Sequence, residues 1–212
     1  MGVVSALTVP DPGQRADLAE FVARVVALDP TAGVRLRGGD NRHVTAWAAT
    51  PFDVLATRSV AGTLDPADVA VPATALLTAL AVERAATVDP GSGASWRPEL
   101  PPDTGWTDAG EGDAGDWAEL VERGLESAAA DPTGPGPSAA LLDETAAVLP
   151  VPVGPPVRIP LRCLFALSGL GLLTGSDPAS PVRVAVTGSW LRLETPGGAV
   201  VRRRITTLPL LV

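Results

Sequence analysis

Few residues in this 212-residue chain are equipped for covalent or metal chemistry, and two of them occur once each: the histidine His43 and the cysteine Cys163. A single cysteine makes no internal disulfide. One histidine with one cysteine cannot assemble a His/Cys zinc site or a two-histidine metalloprotease site, so carboxylates alone remain as metal ligands. His43 could serve as a base toward Cys163 or a serine, but each setting has a plainer reading. His43 stands beside a predicted turn with Asp40, Asn41 and Arg42, where an exposed histidine is ordinary. Cys163 lies in an apolar helical stretch, where a small thiol packs as a hydrophobe. No Gly-x-Ser-x-Gly nucleophile elbow occurs.

Other candidates fail on spacing. Gly169-Leu170-Gly171-Leu172-Leu173-Thr174-Gly175 approaches a dinucleotide-binding turn, but Thr174 stands where the third glycine belongs, and Asp177-Pro178 and Pro181 interrupt the helix that should follow. Glycines that end a buried helix account for it better. Glu111, Asp113, Asp116 and Glu119 cluster without the EF-hand pattern and read as a solvated face. The sequence therefore names no catalytic residue, no metal ligand and no cofactor.

Charge layout points to recognition. All 16 basic residues are arginine, against 24 acidic residues, for a net charge of −8. Residues 1–64 carry six arginines and six acids, 65–156 three against sixteen, and 157–212 seven against two; the net charge runs from zero to −13 to +5. Arg192, Arg202, Arg203 and Arg204 flank the Thr195-Pro196-Gly197-Gly198 turn, and alternate arginines on a strand project to one face, where they could neutralise phosphates. They could equally pair with the acidic middle, closing the protein on itself or on a twin subunit. Trp190 is the one aromatic nearby, so base stacking on single strands is not suggested. Trp96, Trp106 and Trp117 fall in the middle region, as anchors pinning that segment onto a core or as a partner-binding surface.

The elements that would position these residues follow from periodicity. Asp11-Pro12 can cap a helix whose buried face is Leu18, Phe21, Val22, Val25 and Leu28, ended by Asp29-Pro30. The period then changes to two through Val34 and Leu36, Val44, Ala46 and Ala48, and Val54, Ala56 and Val60, with Gly38-Gly39-Asp40-Asn41 as a hairpin turn. Val69 to Pro72 reads as a strand and Ala73 to Ala86 as a helix with Leu76, Leu77 and Leu80 inward. From Asp89 to Pro137, 16 of 49 residues are Gly or Pro, which reads as an irregular linker or lid holding one short helix with Trp117, Leu120, Val121 and Leu125 on one face. Val157 to Pro160 and then Leu161 to Leu173 repeat the strand, proline, helix grammar of Val69 to Ala86, a hint of duplication. A three-stranded meander follows, on Val182, Val184 and Val186, then Leu191 and Leu193, then Val200 and Val201.

The expected fold is α+β: an N-terminal lobe (1–88), an acidic Pro/Gly-rich segment (89–150) and a C-terminal helix-plus-meander lobe (151–212). Met1 to Pro12 lacks a basic start and is not a signal peptide, and the Cys163 to Leu173 run is about half the ~20 residues of a membrane span, so a cytoplasmic protein with no membrane partner is expected.

Asp68-Val69-Ala70-Val71-Pro72-Ala73-Thr74-Ala75-Leu76-Leu77 resembles the strand-to-helix junction of sliding-clamp domains. Pro181 to Leu193 through Ile205-Thr206-Thr207-Leu208-Pro209 resembles their closing strands. The basic hairpin with its Gly-rich tip also resembles a winged-helix wing, although no three-helix core accompanies it. As a whole the chain resembles an uncharacterised protein family of GC-rich Gram-positive, actinobacterial bacteria, and that resemblance implies no activity and no site residues. The reading is a non-catalytic binding or scaffold protein acting through self-association or a protein partner. DNA binding through the arginine-rich hairpin is the alternative, and an enzyme of unknown type comes third.

Overall fold

In the computed structural model, which describes residues 5–39, 42–82, 85–130, 136–151, 155–173 and 177–204, helix α1 (Pro12–Leu28) starts where Asp11 accepts a hydrogen bond from the Gln14 amide at 2.8 Å. Pro12 occupies the first turn, where its missing N–H costs nothing. Leu18, Phe21, Val22 and Val25 are buried along one face, and Leu28 is half-buried. The chain divides into two units, Met1–Glu99 with Gly169–Gly171, and Leu100–Ser168 with Leu172–Val212.

In the first unit, β1 (Ala6–Thr8) precedes α1, and β2 (Gly33–Gly38), β3 (His43–Ala49), β4 (Leu55–Ala61), β5 (Thr63–Asp65), β6 (Asp68–Pro72), α2 (Ala73–Val82) and β7 (Thr87–Val88) follow. Strands β6, β2, β3 and β4 pair antiparallel in that order, with Val34 opposite Ala48, Leu36 opposite Ala46 and Val44 opposite Val60. Those six are all buried, so the period of two in the sequence is the buried face of the sheet. On the other face Arg35 grips the Asp68 carboxylate with two hydrogen bonds of 2.8 and 2.7 Å. The Arg35 hydrogen bond holds the Asp68 carboxyl below the ordinary carboxylate range. The hairpin closes with the Gly39 amide donating to the His43 carbonyl; Asp40 and Asn41 of the expected turn lie outside the described residues. A second, three-stranded sheet runs β5-β1-β7.

Helix α2 is shorter than its periodicity suggests, because the Ala86 carbonyl is committed to the Val9 amide and Thr87 pairs with Thr8. Leu76 is buried, whereas Leu77 and Leu80 are half-buried.

The second unit contains β8 (Thr107–Asp113), α3 (Ala114–Ala129), α4 (Ala139–Asp143), β9 (Thr145–Leu149), β10 (Val157–Pro160), α5 (Leu161–Gly169), β11 (Pro181–Val186), β12 (Trp190–Thr195) and β13 (Gly198–Arg203). The expected meander is present: β11 pairs with β12 and β12 with β13, and β8 adds to the far side of β11, all antiparallel. Strands β9 and β10 form a separate hairpin. In α5 every residue from Leu161 to Leu167 is buried. Ile205 to Pro209, the end of the expected closing strands, lie outside the described residues. The fold class is α+β as the sequence indicates, with antiparallel sheets and helices in both units.

The irregular reading of residues 89–137 is corrected by a seven-residue strand, β8, at Thr107–Asp113. The expected helix is present as α3, 16 residues long, with Trp117 and Val121 buried and Leu120 half-buried, but Leu125 of its expected inner face is exposed. Glycine counted as loop composition serves packing here. A Cβ on Gly112 would lie 2.6 Å from the Trp117 Nε1, and one on Gly124 would lie 2.9 Å from a Leu161 methyl and 3.0 Å from the Phe165 ring. In the first unit Gly62 plays the same part, since a Cβ there would overlap the backbone carbonyl of Thr8.

Backbone cannot rotate away as a flexible side chain can, so Gly62→Ala should destabilise the protein by about 1–3 kcal/mol. Urea unfolding followed by tryptophan fluorescence should show the loss as a lower midpoint with an unchanged slope.

Candidate arginine-lined cavity

Strand β13 places its arginines by register against β12: Arg202 stands opposite Leu191, and Arg203 opposite Trp190. Arg204 follows the strand, its amide bonded to the Ser189 carbonyl at 2.7 Å and its Nη1 donating to the Thr187 carbonyl at 3.2 Å. These three arginines line a cavity of about 630 Å³ together with Asp143 at the end of α4, Thr145 of β9, Arg158 and Pro160 of β10, and Leu191. Pro155 and Pro156 complete its wall. Proline suits such a wall, because it fixes the backbone and presents ring carbon instead of an N–H.

Asp143 is the carboxylate of this cavity, and two guanidinium groups share its Oδ1. Arg162 reaches it from Nε at 3.0 Å and Nη2 at 2.6 Å, and Arg202 from Nη2 at 3.1 Å. The Arg162 side chain is only 8% exposed, so its charge is held away from water and depends on its hydrogen-bonded partners. The sequence left two readings of the C-terminal arginines, phosphate contact or pairing with the acidic middle. Arg202 pairs with an acid of the middle segment, Asp143, whereas Arg203 is exposed at the cavity and Arg204 half-buried there.

Arg192 does not join them. It lies opposite Val201, pairs with Glu194 of its own strand at 3.1 Å, and holds its guanidinium 5.9 Å from the centre of the Trp106 ring. Trp106 is half-buried with its Nε1 donating to the Pro102 carbonyl, and Trp96 is half-buried with its Nε1 donating to the Pro98 carbonyl. Trp117 is 3% exposed and belongs to the core of the second unit, so the anchoring reading describes it and a surface role does not. Sequence reasoning passed over Arg158 and Asp143. A lone arginine in Val157-Arg158-Ile159-Pro160 and a single aspartate ending a short helix carry no pattern, and only the fold brings them to the arginine cluster.

Of the remaining reactive groups, one is exposed and one is sealed. His43 opens β3 in the first unit and is exposed, whereas Cys163 belongs to α5 and is fully buried in the second. Burial pushes the Cys163 thiol up to about 12, against a smaller opposing pull from Arg202 and Arg162. At neutral pH it is therefore a thiol and not a nucleophilic thiolate. Glu111 and Asp113 lie on β8 and Asp116 and Glu119 on α3; among the described residues no group of three His, Cys, Asp or Glu is placed to hold a metal ion. Helix α5 ends at Gly169, and Gly171 has a φ of +67°, as glycines at a helix end do; Thr174 and Gly175 lie outside the described residues. No helix among the described residues is long and apolar enough to cross a membrane.

Residues 101–207 match the family described as Domain of unknown function (DUF8185), and residues 3–98 match Domain of unknown function (DUF8010). No curated protein matches the sequence. Among solved structures the chain is similar to the DNA polymerase sliding clamp from Caulobacter crescentus, with 15% identity, a TM-score of 0.59, and coverage of 98% of this chain and 67% of the clamp. The DNA polymerase sliding clamp from Bacillus subtilis gives 14% identity, a TM-score of 0.60, and coverage of 98% and 66%. A putative DNA polymerase III beta subunit from Eubacterium rectale gives 12%, 0.59, and coverage of 97% and 66%. The chain thus has the sliding-clamp fold and spans about two thirds of the length of these proteins. The clamp-like reading of the Asp68 to Leu77 junction and the meander strands agrees with that fold.

Two outcomes follow from the geometry. Asp143→Ala removes the acceptor shared by Arg162 and Arg202 and should destabilise the protein by about 1–3 kcal/mol, less than for a fully buried pair because Asp143 is half exposed. Urea midpoints of the variant and of Arg202→Ala measure it, and the second change should cost less. Cys163 should resist a thiol-specific disulfide reagent at pH 8 in the native protein and react at once in 6 M guanidinium chloride. Rapid native reaction would contradict its burial.

Proposed function

The chain belongs to the family Domain of unknown function (DUF8185), and from that premise and the fold we propose that it is a non-catalytic binding protein that works by associating with another protein or with a second copy of itself. The observation that carries this reading is the sliding-clamp fold extending over nearly the whole chain. The structural relatives are named as DNA polymerase sliding clamps. The sealed Cys163 thiol supports the same reading, since burial disfavours the thiolate a nucleophile needs.

DNA is the second reading. It is favoured by the presence of Arg158, Arg202, Arg203 and Arg204 around one concavity in a C-terminal segment of net charge +5.

Two measurements separate these readings. Association predicts that the chain, of 21.5 kDa, migrates in gel filtration of a cell extract above its monomer mass, and that the larger species survives moderate salt. Monomeric behaviour both in extract and at high concentration after purification would sink it. DNA binding predicts duplex affinity falling about 100-fold between 50 and 200 mM salt if roughly four phosphates are neutralised. Replacing Arg202, Arg203 and Arg204 together by alanine should then weaken binding to all sequences alike. Absence of duplex binding at low salt removes that reading.

A further inference from the structure

Among the described residues, arginines outnumber carboxylates in the lining of the second unit's cavity. Four arginines line it, Arg158, Arg202, Arg203 and Arg204, against one carboxylate, Asp143. That carboxylate is already engaged by Arg202 and by Arg162. Neither Arg158 nor Arg204 has a carboxylate within ion-pair distance among the described residues, and the one side-chain bond of Arg204 goes to a neutral carbonyl. Guanidinium groups gathered around one concavity repel one another, and a bound anion turns that repulsion into attraction.

We infer that this cavity is a binding site for a compact polyphosphate, either inorganic or the phosphate chain of a nucleotide. Volume is the first argument: about 630 Å³ lies within the range of small-ligand sites. The donors are the second. Arginines of two different elements, β10 and the end of β13, line the cavity beside Thr145, while Pro155, Pro156 and Pro160 offer no amide N–H. Such a lining donates many hydrogen bonds and accepts few, so its complement is a group rich in acceptor oxygens. Charge density is the third. Arg158 and Arg204, neither of them ion-paired among the described residues, are matched by a di- or triphosphate, which concentrates its charges on adjacent tetrahedral centres and accepts bidentate bonds from arginine. A carboxylate peptide spreads single charges along a strand, and a duplex presents its phosphates along a surface.

This inference uses arginines also invoked for DNA but does not depend on that reading or on self-association. Isothermal titration calorimetry of the full chain with inorganic tripolyphosphate at about 0.15 M salt tests it. One site per chain is expected, with a Kd below about 100 µM. Arg158→Ala with Arg204→Ala should weaken binding by about tenfold or more, while Arg183→Ala, an exposed arginine of β11 outside the cavity, should leave it unchanged. ATP binding as tightly as tripolyphosphate identifies a site that reads phosphate alone; tighter binding of ATP identifies the nucleotide as the source. The inference fails if no heat of binding appears up to about 1 mM, if the double variant binds like the wild type, or if Arg183→Ala weakens binding equally. It also fails if a glutamate-rich peptide or a DNA duplex binds the same arginines more tightly than tripolyphosphate does.

Discussion

The sharing of one carboxylate by two guanidinium groups organises the second unit. Asp143 ends α4, Arg162 lies in the first turn of α5, and Arg202 lies near the end of β13, so one oxygen ties together three elements far apart in sequence. Arg162 is buried in the stretch Leu161–Leu167 of α5, otherwise Leu, Cys, Phe and Ala, and a charge there is tolerable only with an acceptor brought to it. The short helix α4 is fixed by the Ser138 cap and by the Leu161 amide donating to the Glu144 carbonyl, the residue next to Asp143. Backbone and side chain thus place the same corner. The cavity opens beside that corner.

A second constraint is close approach. Gly112 makes room for the Trp117 indole, and Gly124 lets α3 settle against Leu161 and Phe165 of α5. Glycine lowers helix propensity by roughly 1 kcal/mol relative to alanine, so α3 gives up intrinsic stability to gain contact with α5. Trp117 and Val121 recover it by burial, at 3% and 4% exposure.

That exchange explains which parts of the fold were legible in the sequence. Helix α1 was readable because its cap, its apolar stripe and its stop signal agree, and the strands β2, β3, β4, β11, β12 and β13 because Val, Leu and Ala alternate with polar residues along them. Strand β8 was not. Thr-Asp-Ala-Gly-Glu-Gly-Asp has almost no strand propensity, and its extended form comes from pairing with β11, whose Val182 and Val184 face Gly112 and Gly110. Glycine in that segment carries two meanings, turn and packing, and composition does not separate them. The candidate site was legible in part: a run of three arginines announces a charged surface, but Arg158 and Asp143 become relevant only through tertiary neighbours.

Shape decides what such a surface can recognise. The same arginines on a flat sheet edge would sit in bulk solvent, where each pair of charges is screened and contributes little. Set around a concavity, several of them can reach one anion together, so that their charges act on it in concert. Arg192 illustrates the contrast, since it pairs with Glu194 and lies over the face of Trp106, whereas neither Arg158 nor Arg204 has a carboxylate within ion-pair distance among the described residues. In this unit the strand on which an arginine lies and its neighbours across the sheet, more than the count of basic residues, separate structural charge from charge available for recognition.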